Sequence, residues 1–427
     1  MLLLILVLQV AVILATCRGV AALFRRMGQP SVVGEMFAGI LLGPSILGAL
    51  APRLEAFLFP ASSLSNLNAL SQIGLIIFMF LVGLEMNPNE LKSHGHATLL
   101  TSHASITLPF ALACLLSLYL YPRLSDNSVS FTSFSLFMGA AMSITAFPVL
   151  ARILSERNML QGRLGTVAIA CAAVDDVTGW CILAYIVVLI RARDSAASVW
   201  LTLAGTIAFA LLMIYVVRRL VSRFGTLYRE RGALHENSWA LMLLLVFVSA
   251  LCTEWLGIHL LFGAFLMGVI MPKNENFVRY VNDRFEILSV VLLLPLFFAF
   301  TGLRTSIALV KGPEMWGYCA LIICVAIAGK LGGSMAASRI MGLPLRESIG
   351  LGILMNTRGL MELVILNIGL DLKVISPALF SMMVLMALVT TFMTTPLLRL
   401  MYRESPARAA LAEVDGAAPS GDGISAA

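Results

Sequence analysis

The chain has 427 residues, of which 59% are hydrophobic and only 12% charged, with a mean hydropathy of +0.94. Soluble domains carry about 25% charged residues, so this composition excludes a soluble fold and implies a protein that crosses the bilayer many times. The net charge of +6 does not point to nucleic acid, because the basic residues are scattered at segment ends.

In chain order, apolar segments bounded by charge, Pro or Gly give thirteen candidate helices. They cover residues 1–23, 31–50, 68–86, 96–121, 131–151, 164–190, 197–217, 237–256, 258–272, 285–303, 314–337, 347–370 and 375–402. The first, beginning MLLLILVLQV, has no basic leader and runs for a full span. It reads as a transmembrane helix rather than a cleaved signal peptide. The seven Cys lie in apolar runs without a CxxC or Cys/His cluster, so they read as packing residues, with no metal or cofactor implied. His94, His96 and His103 cluster at one mouth of the fourth segment, where solvated loop residues and a pH-sensing group are both open readings. The Ala-, Gly- and Ser-rich tail 403–427 is expected to be disordered and cytoplasmic.

The distribution of basic residues orients these segments. Of the 29 Lys and Arg, 20 fall in the odd-numbered loops and the C-terminal tail (counting Arg18 and Arg399 near the segment ends that border them), seven in the even-numbered loops, and Lys330 and Arg358 well inside helices. The more basic side is cytoplasmic. The N-terminus is therefore expected outside and the C-terminus inside, which requires an odd number of helices.

Two stretches of sequence return. GEMFAGILLGP (34–44) echoes GAFLMGVIMP (263–272), and FMFLVGLEMN (78–87) echoes FFAFTGLRTS (297–306). In both cases the shift is seven helices. An odd shift reverses orientation, so the pattern reads as two inverted six-helix repeats, about 1–190 and 237–402, joined by a linker helix at 197–217. The whole of 1–402 is then one transmembrane domain.

The same shift pairs the fifth segment with the twelfth, and both carry helix breakers. MSITAFPVL holds Ser143, Thr145 and Pro148; ILMNTRGLMEL holds Asn356, Thr357, Arg358, Gly359 and Glu362. Pro removes a backbone donor and Gly weakens a helix. Breaks at symmetry-related positions point to discontinuous helices lining an ion site at mid-membrane. Arg358 and Glu362, four residues apart, can neutralise each other or the half-helix dipoles.

The sixth segment places Asp175 and Asp176 side by side in an otherwise apolar run, and unpartnered carboxylates there are costly. Successive helical residues point ~100° apart. One acid can therefore pair with Lys330 of the eleventh segment while the other faces a cavity. Such a carboxylate can take either a proton or a monovalent cation. Each neutralises it and the two compete, which together with alternating access suffices for antiport.

Together PSVVGEMFAGILLGPS, FMFLVGLEM, SITAFPVLARIL, AAVDDVTGW, FTGLRTSI and NTRGLMELVILNIGL resemble the monovalent cation:proton antiporter-2 family over about residues 30 to 400. The resemblance implies an all-α polytopic membrane protein with thirteen helices, a dimerisation domain and a core domain with crossed broken helices, working as a homodimer by an elevator-like motion. It implies exchange of sodium, potassium or lithium for protons, at the bacterial inner membrane, with no cofactor and no enzymatic reaction. Asp176 matches the carboxylate that carries ion and proton, Asp175 the acid that pairs with Lys330, and Thr145 the break in the fifth helix. The alternative is a sodium-coupled carrier of an organic solute on a similar inverted repeat, which would need no Asp pair facing a buried Lys.

Overall fold

A computed structural model of the chain describes residues 2–86, 95–125, 129–157, 159, 163–191 and 196–402. The expected tail, with His94, lies outside them, as does the side chain of His96; His103 is described and is exposed. Among the described residues the regular elements are helices, with no β-strand. The principal helices are α1 (Leu2–Arg26), α2 (Ser31–Leu42), α3 (Ala61–Glu85), α4 (Gly95–Leu124), α5 (Phe131–Ser143), α6 (Phe147–Glu156), α7 (Arg163–Arg191) and α8 (Ala196–Leu212). They continue with α9 (Arg218–Arg231), α10 (Glu236–Trp255), α11 (Leu260–Ile270), α12 (Glu275–Glu286), α13 (Leu294–Leu303), α14 (Gly312–Ile340), α15 (Leu345–Met355), α16 (Leu360–Asp371) and α17 (Pro377–Met401).

All thirteen expected segments are helical, but not all are single membrane-length helices. Among the described residues, ten are long and apolar enough to cross a bilayer, or eleven when α15 and α16, bent by 42°, are taken as one span. Length and composition support that count and do not confirm thirteen. The shortfall comes from α5 and α11, apolar helices of 13 and 11 residues, below the ~20 residues a crossing needs. In α5 the cause is the break that the sequence led us to expect.

The helices pack in two groups. In the first, α1 lies on α2, α2 on α13, α3 on α11 and α13, and α10 on α11. Glycine sets how closely they approach. A Cβ on Gly302 would stand 2.0 Å from the carbonyl carbon of Gly39, and one on Gly39 would stand 2.4 Å from the carbonyl oxygen of Phe298, so α2 and α13 touch backbone to backbone. At the crossing of α3 and α11, a Cβ on Gly83 would lie 2.1 Å from Phe265 O, and one on Gly268 would lie 2.1 Å from Phe80 O. These are the glycines of the two sequence echoes. Gly39 corresponds to Gly268 and Gly83 to Gly302, so the first contact maps onto the second when the repeats exchange places. Gly34 of α2 against Ala21 of α1, and Gly263 of α11 against Ser249 of α10, form a further equivalent pair. An inverted repeat of the kind the sequence echoes suggest would produce this relation.

The helix ends beyond these crossings are tied as well. Ser45 Oγ donates to Thr305 O at 2.7 Å and accepts from the Ile307 N–H at 3.0 Å. Lys273 Nζ donates to Gly83 O, Leu84 O and Gly268 O at 2.8, 2.8 and 2.9 Å. Lys273 lies just beyond α11, and burial together with the neighbouring Arg218 pushes its pKa down to about 7.

The second group comprises α4–α7 and α14–α17. Here α4 lies along α14, where a Cβ on Gly329 would meet Pro109 Cα at 2.8 Å and one on Gly333 would meet Ala104 O at 3.0 Å. This approach brings Lys330 against α4 and α7. Between the groups, Arg304 at the end of α13 reaches α16, binding Asn367 Oδ1 at 2.9 Å and Asp371 Oδ1 at 2.5 Å.

Candidate functional site: the crossing of two broken helices

Helix α5 stops at Ser143 and α6 starts at Phe147; α15 stops at Met355 and α16 starts at Leu360. The two links lie against each other. The Ala146 N–H donates to Thr357 O at 3.1 Å, and Thr145 Oγ1 lies 3.1 Å from Met355 O. Gly359 makes the approach possible, since a Cβ there would lie 2.6 Å from Val149 Cγ2. Pro148 occupies the first turn of α6, where a missing N–H costs nothing, so the break falls before it, at 144–146.

Each half-helix end carries an uncompensated partial charge, negative at the C-termini of α5 and α15 and positive at the N-termini of α6 and α16. Arg358 answers the first. Its Nη1 donates to Ala141 O at 3.0 Å and its Nη2 to Met142 O at 2.6 Å, the last turn of α5. Glu362, in the first turn of α16, sits 3.3 Å from Arg358 Nη1, both side chains being fully or almost fully buried. Thr391 of α17 fixes the Arg358 backbone, accepting from its N–H at 3.0 Å and donating to its carbonyl at 2.8 Å. The pair therefore neutralises itself and the dipoles together.

Helix α7 passes this crossing with Asp175 and Asp176 in different environments. Asp175 Oδ2 is 2.8 Å from Lys330 Nζ, and both side chains are 0% exposed. The same carboxylate accepts from Thr145 Oγ1 at 2.8 Å, from Ser102 Oγ at 2.5 Å, and lies 3.1 and 3.0 Å from Ser105 Oγ. Asp176 is 1% exposed, and neither of its oxygens has a hydrogen-bond partner. The Phe147 N–H at the start of α6 acts on this carboxylate without completing such a bond. Asn356 Oδ1 and Thr357 Oγ1 are likewise buried without partners. Carboxylate, amide and hydroxyl oxygens are the donor set that hard monovalent cations take.

The sequence-derived residues fall into place unevenly. Asp175 and Lys330 pair as expected, and Asp176 is the free acid. Thr145 does not reach Asp176; its hydroxyl serves Asp175. Ser143 bonds back to Ala140 O at 3.1 Å and touches neither acid. Ser102 and Ser105 were not singled out. Their i, i+3 spacing on α4, the helix paired with α14, was the available signal, but a serine in an apolar helix ordinarily bonds its own backbone.

Residues 10–400 match the family model described as sodium/hydrogen exchanger, transmembrane. The chain belongs to this family. Within it, the chain is 44% identical over 401 residues to the Na(+)/H(+) antiporter NhaS4 of Synechocystis sp., covering 94% of this chain and 98% of that one. It is 42% identical to Cation/H(+) antiporter 17 of Arabidopsis thaliana and 34% identical to K(+)/H(+) antiporter 1 of Saccharomyces cerevisiae, spanning 48% and 46% of their lengths. Among solved structures, the sodium proton antiporter MjNhaP1 of Methanocaldococcus jannaschii matches with a TM-score of 0.65 over 94% of this chain and 98% of that one, at 15% identity. That likeness shows the fold. Family membership makes this an integral membrane transporter, not an enzyme, and bears out the resemblance drawn from the motifs.

Proposed function

We propose that this exchanger moves a monovalent cation, sodium or potassium, against protons, and that Asp176 is the carboxylate both compete for. One observation carries the reading: at the crossing of two broken helices, one buried acid is fully partnered and its neighbour is bare. Asp175 is matched by Lys330 and three hydroxyls, so the exchangeable charge is that of Asp176. An unpaired carboxylate in a low-dielectric site is neutralised by whichever cation is available. Binding one expels the other, and alternating exposure of the site to the two faces completes an antiport cycle. The two helix groups supply the parts for such motion, with α4–α7 and α14–α17 carrying the site past α1–α3 and α10–α13 in a homodimer. The charge distribution of the loops supports an outside N-terminus and cytoplasmic C-terminus, and the cyanobacterial relative supports a bacterial inner membrane. Both sodium and potassium stand in the names of the relatives. The test is proton flux in proteoliposomes on adding sodium, potassium or lithium in turn. The parent should respond to one or more, and Asp176→Asn should respond to none while inserting normally. Retained flux in Asp176→Asn would remove Asp176 from the role.

A further inference from the structure

The two acids and the broken helices leave one large side chain of α7 without a role. Trp180 sits one turn beyond Asp176 on the same face of the helix, and it is 1% exposed. Its ring is held by the other helix group. The ring centroid lies 5.5 Å from that of Phe262, edge to face at 89°, and 6.0 Å from that of Phe265, stacked at 26°. Phe262 and Phe265, three apart on α11, are neighbours on the helix surface and form the walls of one seat. The seat is rigid, because α11 is pinned by backbone contacts to α10 and α3. A Cβ on Gly263 would stand 2.0 Å from Ser249 O, and one on Gly268 would stand 2.1 Å from Phe80 O. The ring is tied as firmly to the site. A Cβ on the adjacent Gly179 would stand 2.8 Å from Ile144 Cδ1, so α7 closes there on the link between α5 and α6.

Resting on the proposed function, with its outside N-terminus and moving helix group, we propose that Trp180 is the positioning residue that closes the Asp176 site to the outside. Its ring must leave the seat between Phe262 and Phe265 in each transport cycle. In that orientation α7 runs outward from Arg163 to Arg191, which puts Trp180 about 6 Å to the outer side of Asp176. Helix α11 runs inward from Leu260, so Phe262 and Phe265 stand in its outer half, and the two helices meet at one level. Polar ties join the two groups toward the same side, from Arg304 to Asn367 and Asp371 and from Asn367 Nδ2 to Thr301 Oγ1 at 2.9 Å. An indole packed between two phenyl rings leaves no polar lining for a hydrated ion to follow. The seat also carries a reason to be left. A buried indole N–H ordinarily finds a partner, and that of Trp180 has none among the described residues. Withdrawal toward water or toward the polar crossing gains the hydrogen bond that the seated ring lacks. Ring contact favours closure and the orphaned donor favours release, as a part that alternates requires.

The experiment is the decay of an imposed pH difference across proteoliposomes that contain no transported cation. The parent should hold the gradient, because its site never opens to both faces together. Trp180→Ala leaves the outer path open while the inner one is in use. It should leak protons roughly tenfold faster than the parent, the effect of losing one aromatic contact from the barrier. Trp180→Phe, which still fills the seat, should stay tight and keep exchange. Adding Asp176→Asn to Trp180→Ala should stop the leak, because the path runs through the carrier carboxylate. If Trp180→Ala does not accumulate, Phe262→Ala removes the half-buried wall of the seat and should leak in the same Asp176-dependent way. A parent as leaky as these variants overturns the inference. So does an alanine variant that holds the gradient like the parent, even with slower exchange, or a leak that persists without Asp176, since the ring is then packing alone. Cation-driven exchange retained in Asp176→Asn by itself would overturn the proposed function instead.

Discussion

Two kinds of helix crossing hold this protein together, and they solve opposite problems. Where α2 meets α13 and α3 meets α11, intact helices touch through Gly39, Gly302, Gly83 and Gly268, with no side chain between the backbones. Where α5–α6 meets α15–α16, the helices are opened, and Arg358, Glu362, Lys330, Asp175 and serine and threonine hydroxyls occupy the junction. Lipid provides little hydrophobic drive between helices, so the first crossing relies on close van der Waals contact. The second places free backbone groups at mid-membrane, where each must be matched. The difference teaches that intolerance has different causes in the two places. Bulk breaks the glycine crossings, whereas lost compensation breaks the charged one.

The largest effect should come from bulk. Gly302→Val would place side-chain atoms inside the α2 backbone, and the cost should be at least about 5 kcal/mol, the extreme end for single substitutions. The readout is folded protein recovered by size exclusion in detergent; a Gly302→Val protein as abundant and as stable as the parent would deny the backbone contact.

Next comes lost compensation. Lys330→Met leaves Asp175 buried beside three hydroxyls but without its cation, and should cost about 3–5 kcal/mol. Adding Asp175→Leu to that variant should recover much of the stability but none of the exchange. Thermal midpoints in detergent check this. If the double variant is less stable than Lys330→Met alone, the charged crossing is not governed by compensation.

A smaller effect belongs to Lys273, which caps the end of the α3–α11 glycine crossing. Its pKa lies at about 7, below the ordinary lysine value, so between pH 7 and about 10 the unfolded chain binds more protons at this position than the folded one. Stability from this group therefore rises with pH across that window. The melting temperature of the parent, relative to Lys273→Met, should climb from pH 7 to pH 9; a difference that falls or stays level contradicts the assignment.

The smallest concerns the tie between the helix groups. Arg304 and Asp371 are 22% and 50% exposed, and such pairs contribute about 0–1 kcal/mol. Asp371→Asn should leave the melting temperature nearly unchanged, against the large loss from Lys330→Met.

Much of this was legible in the sequence, for one reason: charge and glycine are rare in apolar helices and so stand out. Asp175, Asp176, Lys330 and Arg358 could be placed at one site because each needs a partner it cannot find in lipid. The two glycine echoes identified helices that turned out to contact each other in exchanged pairs. Hydroxyls carried no such signal. Ser143 and Thr145 stand two residues apart beside the same break, yet one bonds its own helix and the other Asp175. Ser102 and Ser105 look like any serines of an apolar helix. Only the approach of α4 to α7 brings them to the Asp175 carboxylate. The helix count was readable as segments but not as spans, because breaks and short helices are set by packing rather than by composition.

The central claim is that Asp176 is bare so that a cation and a proton can displace one another there. Proton release by the purified protein tests it most directly. In weakly buffered detergent near neutral pH, adding the transported cation should release protons from the parent, and the release should saturate. Asp176→Asn should lose the release that belongs to Asp176, while a non-transported cation releases none from either protein. Equal release from parent and Asp176→Asn would contradict the account.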